Sequence, residues 1–133
     1  MAGLDCDVVI VGGGPVGITQ ALLLARQGIS VIVVEKEADI YPLPRAATFD
    51  HEVLRIFQGL GVADQMVPYL AAADTYEFLN ASGDTLMHFD IPQTSPSGWP
   101  FSRGIHQPTM ERILRDALSE YGHAELRTNC EFK

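Results

Sequence analysis

Two short runs of β-branched residues flank a longer apolar stretch near the beginning of the sequence. Val8 to Val11 and Val31 to Val34 are each uninterrupted, as expected of parallel strands that are covered on both faces. Between the two runs, apolar residues recur with the spacing of one helix face, at Ile18, Ala21, Leu22 and Ala25. The pattern therefore predicts a strand, a helix and a second parallel strand.

Beyond the second run the pattern changes to shorter elements separated by loops. The stretch from Ala38 to Thr48 contains two prolines and no periodicity, so we expect a loop there. Phe49 to Leu60 has the apolar spacing of a helix, with Asp50 placed as its N-cap. A short helical turn is expected from Val62 to Val67.

Two alternating runs follow, from Thr75 to Leu79 and from Thr85 to Phe89, joined by the five residues NASGD. Alternation on both sides of a turn that contains Asn, Gly and Asp predicts an antiparallel hairpin. Such a pair does not belong in the middle of a parallel sheet. We therefore expect it to start a second layer, of the kind that could close over a substrate.

The end of the chain returns to a helix followed by a strand. After a proline-rich loop from Asp90 to His106, Pro108 opens a helix that runs to Tyr121, and Ala124 to Phe132 is predicted as a third parallel strand. The predicted fold class is α/β: a Rossmann-like βαβ unit with a parallel sheet, plus the beginning of an antiparallel β layer.

Composition narrows the possible partners and compartment. A length of 133 residues suits one compact domain or one piece of a larger one, and 47% apolar residues support a packed core. A formal charge of −8 argues against nucleic acid and anionic membranes as partners. Two distant cysteines, Cys6 and Cys130, form no disulfide framework, so we expect a reducing, cytoplasmic setting.

A glycine fingerprint lies between the first predicted strand and the first predicted helix. Gly12 would allow the sharp turn out of the strand, and Gly14 would let a pyrophosphate approach the backbone. Gly17 would let the helix lie close to the strands, and Pro15 suits the first helical turn. The free amides and the positive helix end then favour phosphate groups.

Glu35, at the end of the second predicted strand, completes this fingerprint. Its carboxylate could accept both ribose hydroxyls of an adenosine and would repel a 2′-phosphate, which argues against NADP in this position. A nucleotide-triphosphatase loop is the first alternative, but Ile18 stands where that loop needs lysine. A glycine turn without any ligand is the second. We favour an adenine dinucleotide site.

The sequence offers few groups for catalysis. Arg45 is the one cation in its loop, and its position fits a cofactor contact and a solvated surface equally well. The four histidines lack metal-ligand spacing, and we expect no metal site. His51 and His106 border segments that could face a cofactor, but no residue stands out as a general base, so the catalytic residues are left unassigned.

Three blocks in order give a resemblance to a known family. These are DVVIVGGGPVGITQALLLARQGISVIVVEK, PRAATFDHEVLRIFQGLGV and GIHQPTMERILRDAL. Together they resemble the amino-terminal part of the class A flavoprotein aromatic hydroxylases, most of all the 3-(3-hydroxyphenyl)propionate and pentachlorophenol hydroxylase branch. The resemblance runs over nearly all 133 residues.

The resemblance implies which residues bind FAD. The turn would meet the pyrophosphate, Glu35 the ribose and Lys36 the adenine, while Arg45 and Ala46 would lie near the flavin and Gln107 near the ribityl chain or pyrophosphate. The full implied set is Gly12, Gly14, Pro15, Val16, Gly17, Glu35, Lys36, Arg45, Ala46 and Gln107.

The resemblance also implies a division of the chain and a reaction. Residues 1–70 and 103–133 would form the FAD-binding core and 74–102 the substrate-covering layer, with the remainder of the enzyme absent. The reaction would be the hydroxylation of a phenolic substrate by a flavin hydroperoxide, with NAD(P)H and O₂ as co-substrates. We expect 133 residues alone to be inactive, and a homodimer is left open.

Two alternative functions remain at this point. An NAD-dependent dehydrogenase would share the fingerprint up to Glu35. A catalytically silent FAD- or ADP-binding fragment would share all of it. Flavin absorbance separates the first alternative from a hydroxylase, and NAD(P)H oxidation separates the second.

Overall fold

The structure is a computed structural model that describes residues 5–133. Its strands are β1 (Val8–Val11), β2 (Val31–Val34), β3 (Thr48–Asp50), β4 (Ala71–Ala72), β5 (Thr75–Leu79), β6 (Thr85–Asp90), β7 (Ser102–Gly104) and β8 (Ala124–Arg127). Its helices are α1 (Pro15–Ala25), α2 (His51–Leu60), α3 (Ala63–Met66) and α4 (Gln107–Ser119), with a 3₁₀ turn at Val67–Tyr69. These elements form two compact units: the first joins the chain up to Pro44 with Gln107–Lys133, and the second is Arg45–His106.

The first unit is built on a parallel sheet in the order β1-β2-β8. Val8 pairs with Val31 and Val31 with Ala124, so the three strands begin at the same edge and end at the same edge. Helices α1 and α4 pack against each other and against the sheet. The core between helices and sheet consists mainly of buried aliphatic side chains, namely Ile18, Ala21, Leu22, Ala25, Val31, Val33, Leu114 and Leu118.

Two predictions for this unit are confirmed and one is wrong. The strand–helix–strand unit and the third parallel strand are present, although β8 ends at Arg127 rather than at Phe132. The expectation that both faces of the strands are covered fails for β1 within the described residues. Val9 and Val11 are 55% and 61% exposed, because α1 and α4 cover only the opposite face of the sheet.

The second unit contains two small antiparallel sheets and helix α2. Strand β7 lies between β3 and β4 in one sheet, and β5 pairs with β6 in the predicted hairpin. Asp50 caps α2 as predicted, since its Oδ1 accepts the amide hydrogens of Glu52 and Val53 at 3.0 and 3.1 Å. Gly61, with a φ of 79°, ends the helix in the left-handed region.

Two short strands lie where the sequence predicted a loop or a helix start, and a third lies where it made no prediction. β3 occupies residues 48–50, so α2 begins at His51 rather than at Phe49, and β7 lies inside the predicted loop from Asp90 to His106. β4 has two residues. Strands this short show no alternation, and backbone pairing with neighbours, rather than their own pattern, defines them.

The sequence also assigned residues 45–70 to the flavin-binding core. In the structure they belong to the same compact unit as the hairpin. The predicted division into an FAD-binding core and a substrate-covering layer stays a prediction.

Candidate nucleotide-binding site

The turn after β1 depends on two glycines for its backbone path. Gly12 has a φ of 105°, a region that side chains rarely adopt, and its N–H donates to the Val34 carbonyl of β2 at 2.8 Å. A Cβ on Gly17 would lie 2.0 Å from the Gly12 carbonyl oxygen. Gly17 therefore lets the first turn of α1 rest directly on the chain that leaves the strand.

Gly14 and Pro15 form an open helix start. Gly14 is the N-cap of α1, with extended backbone angles, and nothing lies within 4 Å of the position that its Cβ would take. No side chain in the described part of the chain caps this helix, and Val16 is 81% exposed. The first-turn amides and the positive helix end thus stand at an open approach, as phosphate binding requires.

Gly13 is a part of the site that the fingerprint missed. The residue is buried, and its N–H donates to Glu35 Oε2 at 2.7 Å. A Cβ there would lie 2.9 Å from the Cβ of Glu35 and 3.1 Å from Cδ1 of Leu126. The middle position of the turn therefore needs glycine because the strand-end acid sits against it, a tertiary contact that no spacing rule shows.

Glu35 is held in place by the backbone on both sides of its carboxylate. Oε2 accepts from Gly13, and Oε1 accepts the N–H of Glu37 at 2.9 Å. Partial burial raises the pKa of Glu35, but the amides of Glu37 and Gly13, with the charges of Arg115 and Lys36, outweigh burial and lower it below the ordinary 4.5. The carboxylate is therefore ionised at neutral pH. About four acceptor positions exist on a carboxylate, so capacity for ribose hydroxyls remains.

Arg115, on α4, is a second residue that sequence reasoning missed. Its Nη2 donates to the Gly13 carbonyl at 3.0 Å, and its charge contributes to the lowered pKa of Glu35. Its Nε is buried without a hydrogen-bond partner among the described residues. The apolar stripe of α4 gave no signal for this contact, because residues 13 and 115 are 102 positions apart in the sequence.

Gln107 and Lys36 belong to the same unit. Gln107 opens α4, is 5% exposed, and donates from Nε2 to Oε1 of the equally buried Glu111 at 2.6 Å. Lys36 is exposed, with its Nζ 3.7 Å from Glu37 Oε1. Arg45 and Ala46 open the second unit, and both are exposed. The predicted roles of these four residues toward FAD remain predictions.

The remaining candidate groups have structural contacts. His123 bonds the Ala25 carbonyl at 2.9 Å, and the ring of His51 packs on Phe101 with centroids 5.0 Å apart. His51 Nδ1 lies 3.2 Å from Glu52 Oε1, but the angle is not that of a hydrogen bond.

Within residues 5–133 no group of His, Cys, Asp and Glu side chains is arranged to hold a metal ion. A helix long and apolar enough to span a membrane is likewise missing from the described residues.

Comparison with known proteins identifies the family. A family model described as an FAD binding domain matches residues 5–133. The chain is 39% identical over 121 residues to a probable NADH-specific resorcinol 4-hydroxylase of Rhodococcus jostii (strain RHA1). It is 36% identical over 123 residues to a 3-(3-hydroxy-phenyl)propionate/3-hydroxycinnamic acid hydroxylase of Mycobacterium sp. (strain JLS). These matches cover 91% and 92% of this chain but only 23% and 22% of the relatives.

A solved structure extends the likeness to the fold. The flavin-dependent monooxygenase PieE, in complex with FAD and substrate, matches with a TM-score of 0.76 and 25% identity, over 93% of this chain and 24% of that one. The resemblance to the class A flavoprotein hydroxylases is thus confirmed, and none of these relatives is an NAD-dependent dehydrogenase. The chain belongs to the FAD binding domain family, and FAD is its cofactor.

Proposed function

We propose that this chain is the FAD-binding portion of an NAD(P)H-dependent monooxygenase that hydroxylates a phenolic substrate. The observation that carries the proposal is the turn from Gly12 to Gly17 with Glu35 anchored on it, in a chain of the FAD binding domain family. The hydroxylases that it resembles support the reaction class. Because the chain spans less than a quarter of their length, substrate and activity are part of the proposal.

The adenosine half of FAD would bind at the edge of the parallel sheet where its strands end. The amides next to Gly14 would receive the pyrophosphate, with Gly12, Pro15 and Gly17 shaping the turn and exposed Val16 beside it. Glu35 would accept the ribose hydroxyls, and its negative charge would exclude a 2′-phosphate. Lys36 follows directly and would lie beside the adenine.

The flavin half would be held by Arg45, Ala46 and Gln107. Gln107 stands eight positions before Arg115 on α4, which is ~12 Å along a helix with a rise of about 1.5 Å per residue. One helix thus links the glycine turn to the residue proposed for the ribityl chain. The buried bond to Glu111 holds the Gln107 side chain in a fixed orientation.

Bound FAD would supply the redox and oxygen chemistry, and the protein would supply binding, orientation and exclusion of water. The hairpin of β5 and β6 fits a substrate-covering role because one of its faces is apolar. Tyr76 and Phe78 each pack on Phe89, with ring centroids 6.2 and 5.9 Å apart, and Phe78 and Phe89 remain exposed on that face. A phenolic ring could contact this surface. The division into an FAD-binding core of 1–70 and 103–133 and a covering layer of 74–102 is part of the same proposal.

The remaining expectations about partners and compartment also stand as proposals. Cys6 and Cys130 are free thiols, which suits a reducing cytoplasmic setting. The acidic formal charge of −8 supports small molecules, rather than nucleic acid or an anionic membrane, as partners. A homodimer is part of the same proposal.

The proposal is tested on a full-length polypeptide that contains this FAD-binding portion. We expect it to purify with bound FAD. It should oxidise NADH or NADPH faster when resorcinol or 3-(3-hydroxyphenyl)propionate is added, and the product should carry one additional hydroxyl group on the ring. A flavin-free protein that reduces NAD would contradict the proposal in favour of a dehydrogenase. Bound FAD with no NAD(P)H oxidation under any phenol would favour a silent binding module.

A further inference from the structure

A cavity of about 320 Å³ lies within the second unit. Its wall combines the 3₁₀ turn, strands β4 and β7 and the segment that leads into β7. The lining residues are Val67, Leu70, Ala72, Trp99, Pro100 and Arg103. Small-molecule sites in proteins have volumes of about 300–1,000 Å³ and mostly apolar walls with few polar groups, and this cavity meets both conditions.

The indole N–H of Trp99, one of the lining residues, is already hydrogen-bonded, which leaves the ring for contact with a ligand. Trp99 Nε1 already donates to Gln58 Oε1 at 3.0 Å. That bond fixes the orientation of the indole and satisfies its one donor. Beside it, Pro100, Leu70 and Val67 offer hydrocarbon only, so this side of the cavity favours an apolar body such as a ring.

Arg103 supplies the only charged group among the lining residues, and no acidic side chain bonds to it directly. Its Nη1 donates to Gln93 Oε1 at 3.2 Å and to the Ser102 carbonyl at 3.4 Å, and both acceptors are neutral. Gln93 in turn donates from Nε2 to Asp74 Oδ1 at 3.1 Å, so the nearest acid is separated from the guanidinium by one amide side chain. Among the described residues, no carboxylate lies within ion-pair distance of this guanidinium. A half-buried guanidinium that bonds only neutral acceptors keeps donors available for an anion from outside.

We propose that this cavity binds a small organic anion that consists of an apolar ring and a carboxylate. The ring lies against Trp99 and Pro100, and the carboxylate accepts hydrogen bonds from the Arg103 guanidinium, whose donors are arranged to fit two oxygens. A neutral molecule of the same shape would leave the guanidinium uncompensated, and a cation would be repelled. The site lies entirely within the second unit and does not depend on FAD binding or on the proposed reaction.

Trp99 makes the test direct because it is the only tryptophan of the chain. The probes are 3-cyclohexylpropanoate and 3-cyclohexylpropan-1-ol, which share a hydrocarbon body, do not absorb near the indole band and differ in charge. Titrated into the 133-residue chain, the carboxylate should change Trp99 emission saturably. The alcohol should bind at least about tenfold more weakly, since it forms no charge-assisted bond.

Three variants test whether the Arg103 charge and the free volume of the cavity determine probe binding. Arg103→Gln should reduce the carboxylate affinity to that of the alcohol while the alcohol affinity stays unchanged, which also shows that the cavity is intact. Arg112→Gln removes the same charge from an exposed position on α4 and should leave both affinities unchanged. Ala72→Leu, at an exposed lining position, should fill the cavity and weaken both probes.

The proposal is overturned if the carboxylate gives no saturable change, if it binds no better than the alcohol, or if Arg103→Gln retains the parent affinity. If Arg103→Gln does not fold, Ala72→Leu decides: unchanged carboxylate binding in that variant places the probe elsewhere and refutes the site.

Discussion

The four glycines of the nucleotide-binding turn have different physical tasks. Position 12 needs glycine because its φ is positive, and position 17 needs glycine because a Cβ would clash with the Gly12 backbone. Position 13 needs glycine because a Cβ would press against the side chains of Glu35 and Leu126. Only Gly14 has empty space at its Cβ position and backbone angles that any residue can adopt. A substitution at Gly14 should therefore act on the ligand, and substitutions at the others should act on the fold.

Gly17→Ala and Gly14→Ala form a matched pair that tests this distinction. In Gly17→Ala the new methyl lies 2.0 Å from the Gly12 carbonyl oxygen, and we expect a loss of about 3 kcal/mol in the free energy of unfolding. Gly14→Ala should cost at most about 1 kcal/mol of stability, because alanine is a poorer N-cap than glycine. It should lower FAD affinity at least about tenfold, because its methyl occupies the phosphate approach. Urea unfolding and FAD titration measure both. Equal FAD affinity for Gly14→Ala and parent would count against a pyrophosphate at this position.

Arg115 and Glu35 are coupled through the turn, and this coupling predicts a second result. Arg115→Met removes the bond to the Gly13 carbonyl, so FAD affinity should fall about tenfold. The pKa of Glu35, which burial raises and which the amides of Glu37 and Gly13 and the Arg115 charge lower, should rise in this variant. Carboxyl-carbon NMR follows that pKa. Arg112→Met, exposed on the same helix, is the control, and an unchanged Glu35 pKa in Arg115→Met would refute the coupling.

At the scale of elements, predictability follows length and local chemistry. The α1 stripe, the β-branched runs and the Asp50 cap each carry their signal in neighbouring residues, and the structure contains all three elements. β3, β4 and β7 have two or three residues each and exist through pairing with distant partners, such as Phe49 with Arg103. No local sequence pattern can predict a strand of that length.

The Asp50 cap gives a prediction about helix α2. Asp50→Ala removes the acceptor for the amides of Glu52 and Val53, so the second unit should lose about 1 kcal/mol of stability. Thermal unfolding followed by helix circular dichroism measures the loss. Asp116→Ala deletes the same charge from an exposed position inside α4 and should stay within about 0.5 kcal/mol of the parent. Equal effects of the two substitutions would show that the cap contributes nothing.

The hairpin carries a pH-dependent contact. His88 Nδ1 lies 3.1 Å from Glu77 Oε1 on the paired strand and Nε2 lies 3.4 Å from Asp90 Oδ1, and these bonds raise the His88 pKa above 6.5. A raised folded-state pKa means that the stabilisation is present at acidic pH and is lost as pH rises through it. His88 should therefore titrate at lower pH in Glu77→Gln than in the parent, as followed by NMR of the ring protons. Identical titration curves would contradict the contact.

At the scale of the whole molecule, the sequence predicted the ligand class better than the site. The fingerprint and Glu35 follow from spacing along one continuous unit, so they could be found without coordinates. Gly13 and Arg115 could not, because the first is constrained by a side chain 22 positions away and the second by a contact across 102 positions. Likewise, the exposed face of β1 could not be inferred, since β-branched residues form strands whether one face or both are covered.

Recognition of the adenosine half of FAD by the turn and Glu35 is the central claim. The decisive measurement is calorimetric titration of the 133-residue chain with FAD and with FMN, which lacks the adenosine monophosphate half, followed by competition with ADP. We expect FAD to bind at least about 100-fold more tightly than FMN and to be displaced by ADP. FMN binding as tight as FAD, FAD that ADP does not displace, or a folded chain that binds none of the three would contradict the account.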